Sequence, residues 1–422
     1  MMNAARTMLF GRDPVGSVIC QSGDVKETNV RTNNRKILTT HVGSLPRPPA
    51  LIDMLHAKDA LRSYDRSALD RGVTDSIGDI VERQVGLGID IVNDGEHSKS
   101  SFMAYGRRRL AGIEETAKPA SHRKPTRDAL AFPAVYEEQA VMNNARNIGG
   151  IAPKQRLLPP TICSGPIRYI GQDDLATDIA NLKSALVNRA AEAAFMTAIS
   201  PTNLELYYRN EYYRSDEEYL EALANAMNVE YRAIVDAGFI LQIDDPRLAT
   251  HYNRTPGASV AECRDFIALR VETVNLALKG IPREKVRFHT CYSVNVAPRV
   301  HDMELKDYLD LMLRIDAHAF SFEAANPRHE HEWAVWKEAK LPDDIVLLPG
   351  VVSHCVHLVE HPELVAQRIL RYADIVGRER VIACNDCGFA SSAAGDEVHP
   401  DVAWAKLQSL SEGARLASAR LW

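Results

Sequence analysis

The stretch ILTTHVGSLPRPP (37–49) decides the fold. It opens as a short β-rich run and then turns through SLPRPP. In a doubly wound open sheet, the first strand is normally followed by a glycine-rich phosphate loop of the G-x-G-x-x-G kind. No such loop follows here. Working outward, eight more β-rich runs recur: IDIVNDGE (89–96), PTICSGPI (160–167), FMTAISPTNLE (195–205), FILQIDDP (239–246), VRFHTCYS (286–293), AFSFEAAN (319–326), IVLLPGVVS (345–353) and VIACNDCG (381–388). Helical patterns separate them, including 216–238, 303–319 and 361–377, with apolar residues at i, i+3, i+4 and i+7. Alternation of this kind over the whole length implies a parallel sheet wrapped by helices. Nine strands, one more than eight, predict a (β/α)8 TIM barrel with one segment outside it. The open sheet is the alternative.

Composition bounds the function. The chain has 422 residues, 45% apolar and 25% charged, with a net charge of -6. That balance is ordinary for a globular protein and offers no basic face for nucleic acid. No apolar run approaches the ~20 residues of a membrane span. Residues 1–34 read as an N-terminal arm of low order or an oligomer contact, without a secretory signal. Residues 35–422 read as a single catalytic domain, with a long polar insertion at about 115–160 that suits a lid, a binding loop or a subunit contact. Seven cysteines, an odd number scattered along the chain, argue against a disulfide framework and for a reducing, cytoplasmic setting.

Polar residues close the C-terminal ends of the runs: Ser44, Glu96, Asp244, His289, Cys291, Glu323, His354 and Cys387. In a barrel these ends converge on one mouth. His289 and Cys291, two apart on a strand, face the same way, and an imidazole beside a thiolate suits zinc. A packed core pair is the plainer reading. Glu323 ends an otherwise apolar strand and wants a cation or a wet pocket. Cys384 and Cys387 form a Cys-x-x-Cys that reads equally as a redox pair, a zinc knuckle or core residues. HEHEW (329–333) lacks the spacing of a zinc-protease helix and reads as loop.

Six segments, in order, carry a resemblance: TTHVGSLPRP, DIVNDGEHSKSSFMAY, LQIDDPRLA, HTCYS, SFEAAN and NDCGF. Each resembles a motif of the cobalamin-independent methionine synthase family. The resemblance implies a (β/α)8 barrel, a zinc ion and alkyl transfer to a zinc-activated thiol. It places His289, Cys291, Glu323 and Cys387 on the family's zinc ligands, and leaves Cys384 as a packed interior residue. Ser44, Glu96 and Asp244 match contacts to the amino acid homocysteine, while turn capping and an ion pair with Lys99 are the plain alternatives for the two carboxylates.

The chain also departs from the family. Its long members have two barrels and about twice this length, which leaves the donor open among methyl-folate, methylcobalamin and the epoxide used by the related epoxyalkane:coenzyme M transferases. Arg247 stands where the long enzymes have a small residue, and suits either an acidic substrate end or an ion pair. The family's catalytic histidine aligns with Cys355 in GVVSHCVH, and His354, one residue earlier, is the candidate proton donor. A non-catalytic zinc barrel that carries or senses thiols is the remaining reading.

Overall fold

The computed structural model describes residues 29, 30, 33, 35–59, 62–101, 104–116, 125–138, 161–292, 298–393 and 398–422. Eight parallel strands form one sheet: β1 (Leu38–Thr39), β2 (Ile91–Val92), β3 (Ala193–Ile199), β4 (Ile240–Asp244), β5 (Val286–His289), β6 (Ala319–Phe322), β7 (Val346–Val352) and β8 (Ile382–Asn385). Each pairs with its sequence neighbour from β2 round to β8, and β8 pairs in parallel with β1. The last seam, between β1 and β2, has backbone and side-chain bonds. The Asp90 N–H donates to the Thr39 carbonyl at 3.1 Å, the Thr40 hydroxyl to the Ile91 carbonyl at 3.0 Å, and the Thr39 N–H to the Asp90 carboxylate at 2.9 Å. This is the expected (β/α)8 barrel. The ninth run, Thr161–Tyr169, lies outside it in a small sheet with Leu110–Glu115 and Arg209–Asn210.

The strands read as apolar runs because both faces are covered. Outward residues such as Phe288, Phe320 and Leu347 pack under the helices. Inward residues at the N-terminal end, among them Leu38, Ile91, Phe195, Ile240, Val346 and Ile382, fill the barrel's base together with Val30. Val30 falls within the expected arm, and its N–H donates to the Glu284 carbonyl at 2.8 Å. The rest of that arm, apart from Asn29 and Asn33, lies outside the described residues. Higher in the barrel the inward side chains turn polar. Arg287, on β5, lies over the Phe195 ring at 3.4 Å and donates to Gln242, Thr40 and the His41 carbonyl.

Helix Asp216–Asp236 follows its apolar stripe, with Ser215 accepting from the Glu218 N–H and three acidic residues in the first turn. Helix Pro362–Val376 also forms as expected. The helix expected over 303–319 does not. That stretch makes a 3-10 turn at Leu305–Asp307 and one short helix, Leu309–Met312. Tertiary bonds replace the helical ones: Glu332 accepts the Leu305 N–H, while Asn275 takes the Arg314 carbonyl and the Asp316 N–H. Of the expected insertion, 117–124 and 139–160 lie outside the described residues. Within the rest, Asp128 is fully buried and accepts from the His301 backbone N–H, and its carboxylate pairs with the His301 ring at 2.7 Å. This ties the insertion to the loop after β5.

Candidate active site

Register places the first row of the site. Asp244 on β4 pairs with His289 on β5, which pairs with Ser321 on β6. In parallel strands such partners share a face, so all three side chains point into the mouth. His289 sets its Nδ1 against the Ser321 hydroxyl at 3.1 Å. Its Nε2 is buried and, among the described residues, has no hydrogen-bond partner. Cys291 continues the same face just past the strand. Cys387 reaches it from the turn after β8, with the two sulfurs 3.4 Å apart. The turn is tight: a Cβ on Gly388 would meet the Ser44 hydroxyl and force Ser44 to move. Ser44 thereby lies against the Cys387 turn.

His289, Cys291 and Cys387 form a buried triad of donors whose ligand atoms all lie within 4.8 Å of one another. A buried imidazole nitrogen left without a partner, beside two facing sulfurs, is costly in a bare protein and fits a soft cation. The hydrogen bond from Cys387, working against burial, draws the Cys291 thiol down, with His289 adding to the effect. Cys384 is different. It is fully buried, points into the barrel's apolar interior, and burial pushes its thiol up to about 11. The Cys-x-x-Cys thus contributes one sulfur to the triad.

Glu323, the fourth expected ligand, is not grouped with these three. Its neighbours of ligand type are His354 and Asp386, a second buried group adjoining the first. Oε1 accepts the Tyr292 N–H at 2.7 Å, and Oε2 accepts from Arg299 at 2.7 Å and Asn326 at 2.9 Å. Burial alone would raise its pKa. The Arg299 charge, then His354, outweigh it and hold the carboxylate ionised.

His354 is fully buried, with Nε2 3.1 Å from the Cys355 sulfur. β7 ends at Val352, so both residues lie in the following loop. Neighbours in a loop need not face opposite ways, and the Cys355 sulfur lies against the His354 ring and within 3.6 Å of Arg299. Across the mouth, Thr197 donates to Glu96 at 2.9 Å, and Lys99 donates to Thr197 rather than pairing with Glu96. Asp244 accepts from Gln242 at 2.6 Å. Burial pushes its carboxyl up to about 7, resisted by His289 and reinforced by the nearby Glu96. Arg247 is not brought to the group. It starts a helix, Arg247–Arg254, and its guanidinium sits 5.0 Å from the Phe266 ring on an outer helix.

Sequence reasoning missed several partners. Asp386 stands directly before Cys387 and takes the Ala324 and Ala325 N–H groups on one oxygen, while the other has no partner among the described residues. Arg299 gave no motif signal, and Ser321, although it opens SFEAAN, was assigned no role. HEHEW is a short turn, as expected of a loop, but His329 is buried. It lies between Asp302 and Glu332, which raise it to about 9 against the cost of burial, and it stacks on Tyr292 at 3.7 Å.

The chain is similar to known proteins along most of its length. Residues 203–406 match the catalytic domain of the cobalamin-independent synthases. The chain is 25% identical over 353 residues to a methionine synthase of Thermococcus kodakarensis, covering 83% of this chain and 86% of that one. It is 24% identical over 384 residues to a methionine synthase of Sulfurisphaera tokodaii, covering 91% and 93%. The fold superposes on a B12-independent methionine synthase from Shewanella sp. W3-18-1, solved with selenomethionine, with a TM-score of 0.65 and 18% identity over 92% of this chain and 99% of that one. In its catalytic-domain match, its relatives along most of their length and its barrel, the chain is similar to the cobalamin-independent methionine synthase family.

Proposed function

We propose that the protein transfers a methyl group to a small thiol, homocysteine or one like it, at a zinc centre. His289, Cys291 and Cys387 would hold the metal, with Glu323 as its fourth ligand. Residues 35–422 act as the single catalytic unit. The observation that carries this reading is the buried triad at the mouth, with its unpartnered His289 nitrogen and its facing sulfurs. Zinc, when bound, keeps a substrate thiol deprotonated and nucleophilic at neutral pH.

The protein's own groups do the rest. Glu96 and Asp244 bring two carboxylates together across the mouth and suit the ammonium of an amino acid. Ser44, against the Cys387 turn, orients the same end. Held in line, the thiol sulfur forms the new bond to carbon as the donor's bond to that carbon breaks. The bonding pair stays with the donor: the nitrogen of a methyl-folate then takes up a proton, which His354 would supply, whereas the cobalt of a methylcobalamin keeps the pair without one. The donor is a methyl-folate or methylcobalamin.

A second reading, addition of an acidic thiol such as coenzyme M to an epoxide, uses the same buried triad to activate the thiol, but the arginine expected to bind its acidic end, Arg247, lies against Phe266 instead. One experiment separates the two. Zinc-loaded protein is mixed with homocysteine, coenzyme M or glutathione and with each donor, and the thioether is identified by mass spectrometry. Methionine is the expected product. A coenzyme M adduct would favour the second reading, and no thioether from any pair, with zinc bound, would overturn both in favour of a non-catalytic barrel.

A further inference from the structure

Arg287 is a charge that the proposed chemistry does not use. It is 1% exposed, on β5 inside the barrel. Its donors go to neutral groups: Nε to the Gln242 side-chain oxygen at 2.6 Å, Nη1 to the Thr40 hydroxyl at 3.0 Å and Nη2 to the His41 carbonyl at 2.6 Å. Burying a guanidinium against neutral partners is costly, and the Phe195 ring 3.4 Å away offsets part of that cost. Gln242, fully buried on β4, passes the contact on. Its amide nitrogen donates to Asp244 Oδ1 at 2.6 Å and to the Val42 carbonyl at 2.5 Å. A carboxamide accepts at its oxygen and donates only from its nitrogen. With Arg287 donating on one side and two acceptors on the other, only one orientation of the amide satisfies all three bonds. Arg287 thus fixes which way Gln242 faces, and its charge polarises the amide into a stronger donor. The same two side chains bind residues 40–42, the segment that runs on to Ser44. Asp244 and Ser44, two of the three residues proposed to grip the amino acid, are tied to one buried pair.

We propose that Arg287 and Gln242 are positioning residues that set recognition of the substrate's ammonium group. Arg287 orients the Gln242 amide, and Gln242 holds Oδ1 of Asp244 so that the other oxygen faces the ammonium. The pair thereby selects an α-amino thiol over a thiol that lacks the amine. It acts on the amino end of the substrate and not on the sulfur. This rests on the reading of Asp244 as an ammonium contact given above.

The test uses the full chain loaded with cobalt, whose visible spectrum reports a thiol reaching the metal. Homocysteine and its deamino analogue, γ-mercaptobutyrate, are titrated in turn. The wild type should prefer homocysteine. Gln242→Met, close in volume but without the amide, should weaken homocysteine about tenfold, the lower end for a hydrogen bond to a charged group. It should leave γ-mercaptobutyrate within about twofold. Arg287→Met should do the same, and the double variant should lose no more than about twofold beyond either, because the two act in series. A Gln242→Met that weakens both thiols equally has only loosened the fold and overturns the proposal, as does an Arg287→Met that keeps the wild-type preference. Should the variants fail to fold, a crystal structure of the zinc-loaded wild type with homocysteine decides. Asp244 should accept from Gln242 on one oxygen and from the ammonium on the other. An Asp244 that binds the ammonium with Gln242 turned away overturns the proposal. A wild type that binds both thiols equally refutes the ammonium reading of Glu96 and Asp244 and this proposal with it, whereas a wild-type preference that survives Gln242→Met refutes this proposal alone.

Discussion

Replacing each sulfur of the Cys384–Cys387 pair by oxygen separates their roles. Zinc in a structural site contributes ~10–16 kcal/mol of apparent binding free energy. Divided over four ligands, one thiolate accounts for about 3 kcal/mol of that figure. Cys387→Ser should therefore weaken zinc by about a hundredfold, since 1.4 kcal/mol is tenfold. The hydroxyl is a poor substitute, and Cys291 loses its sulfur neighbour at 3.4 Å. Cys384→Ser acts elsewhere. It buries a hydroxyl in the barrel interior, where the Ser321 hydroxyl is 3.9 Å from the present sulfur. The cost falls on folding, at about 1–3 kcal/mol if the new hydroxyl stays unpaired, and zinc affinity should hold. Chelator competition reports the metal, and urea denaturation of the chelated protein reports the fold. Equal loss of zinc in the two variants would refute the assignment of one metal thiolate to the pair.

Three further outcomes are expected. His354→Ala should slow thioether formation by roughly 10²–10⁴-fold, the range for a lost general acid, with zinc content unchanged; a metal-free product would make His354 a ligand. Ser321→Ala removes the hydroxyl at 3.1 Å from His289 and should weaken zinc by about 10–100-fold in chelator competition, as loss of an outer-shell partner does. His41 and His97 should show no titration by NMR between pH 8 and 5, because burial lowers them to about 4 and about 3, against a hydrogen bond to Gln84 for His41 and with the charge of Arg47 for His97. The unfolded chain takes up these protons near pH 6.5 and the native state does not, so each site makes the fold less stable as pH falls below about 6.5. A midpoint near that value in the folded protein would show that either ring is open to water.

The barrel was legible because strands covered on both faces must be apolar throughout, and the helices between them mark the crossovers. All nine runs form strands, and the count of one too many marks a strand in the side sheet. His289 and Cys291 were legible because a spacing of two fixes a shared face whatever the rest of the fold. Ser321 and Arg299 were not. Ser321 matters only through register with the neighbouring strand, and Arg299 only because a loop returns it to Glu323. Neither relation leaves a trace in local sequence. The broken helix over 303–319 failed for a related reason: its pattern was helical, but Glu332 and Asn275, remote in sequence, supply competing partners. For the Cys-x-x-Cys, the turn after Asn385 sends one sulfur inward and the other to the mouth.

The seam between β1 and β2 divides the molecule by rigidity. These are two-residue strands, joined to each other partly through the Asp90 and Thr40 side chains. The β5 strand that carries His289 is flanked by continuous ladders to β4 and β6. Ser44 follows β1 and Glu96 follows β2, so two of the three residues proposed to grip the amino acid hang from the less cross-linked edge, while Asp244, His289 and Cys291 belong to the more cross-linked one. Local opening should begin at that edge, with backbone amides of 38–42 exchanging with solvent well before those of 286–289. A barrel built this way can alter which thiol it accepts by remodelling the Glu96 side of one seam, while His289 and Cys291 stay where they are.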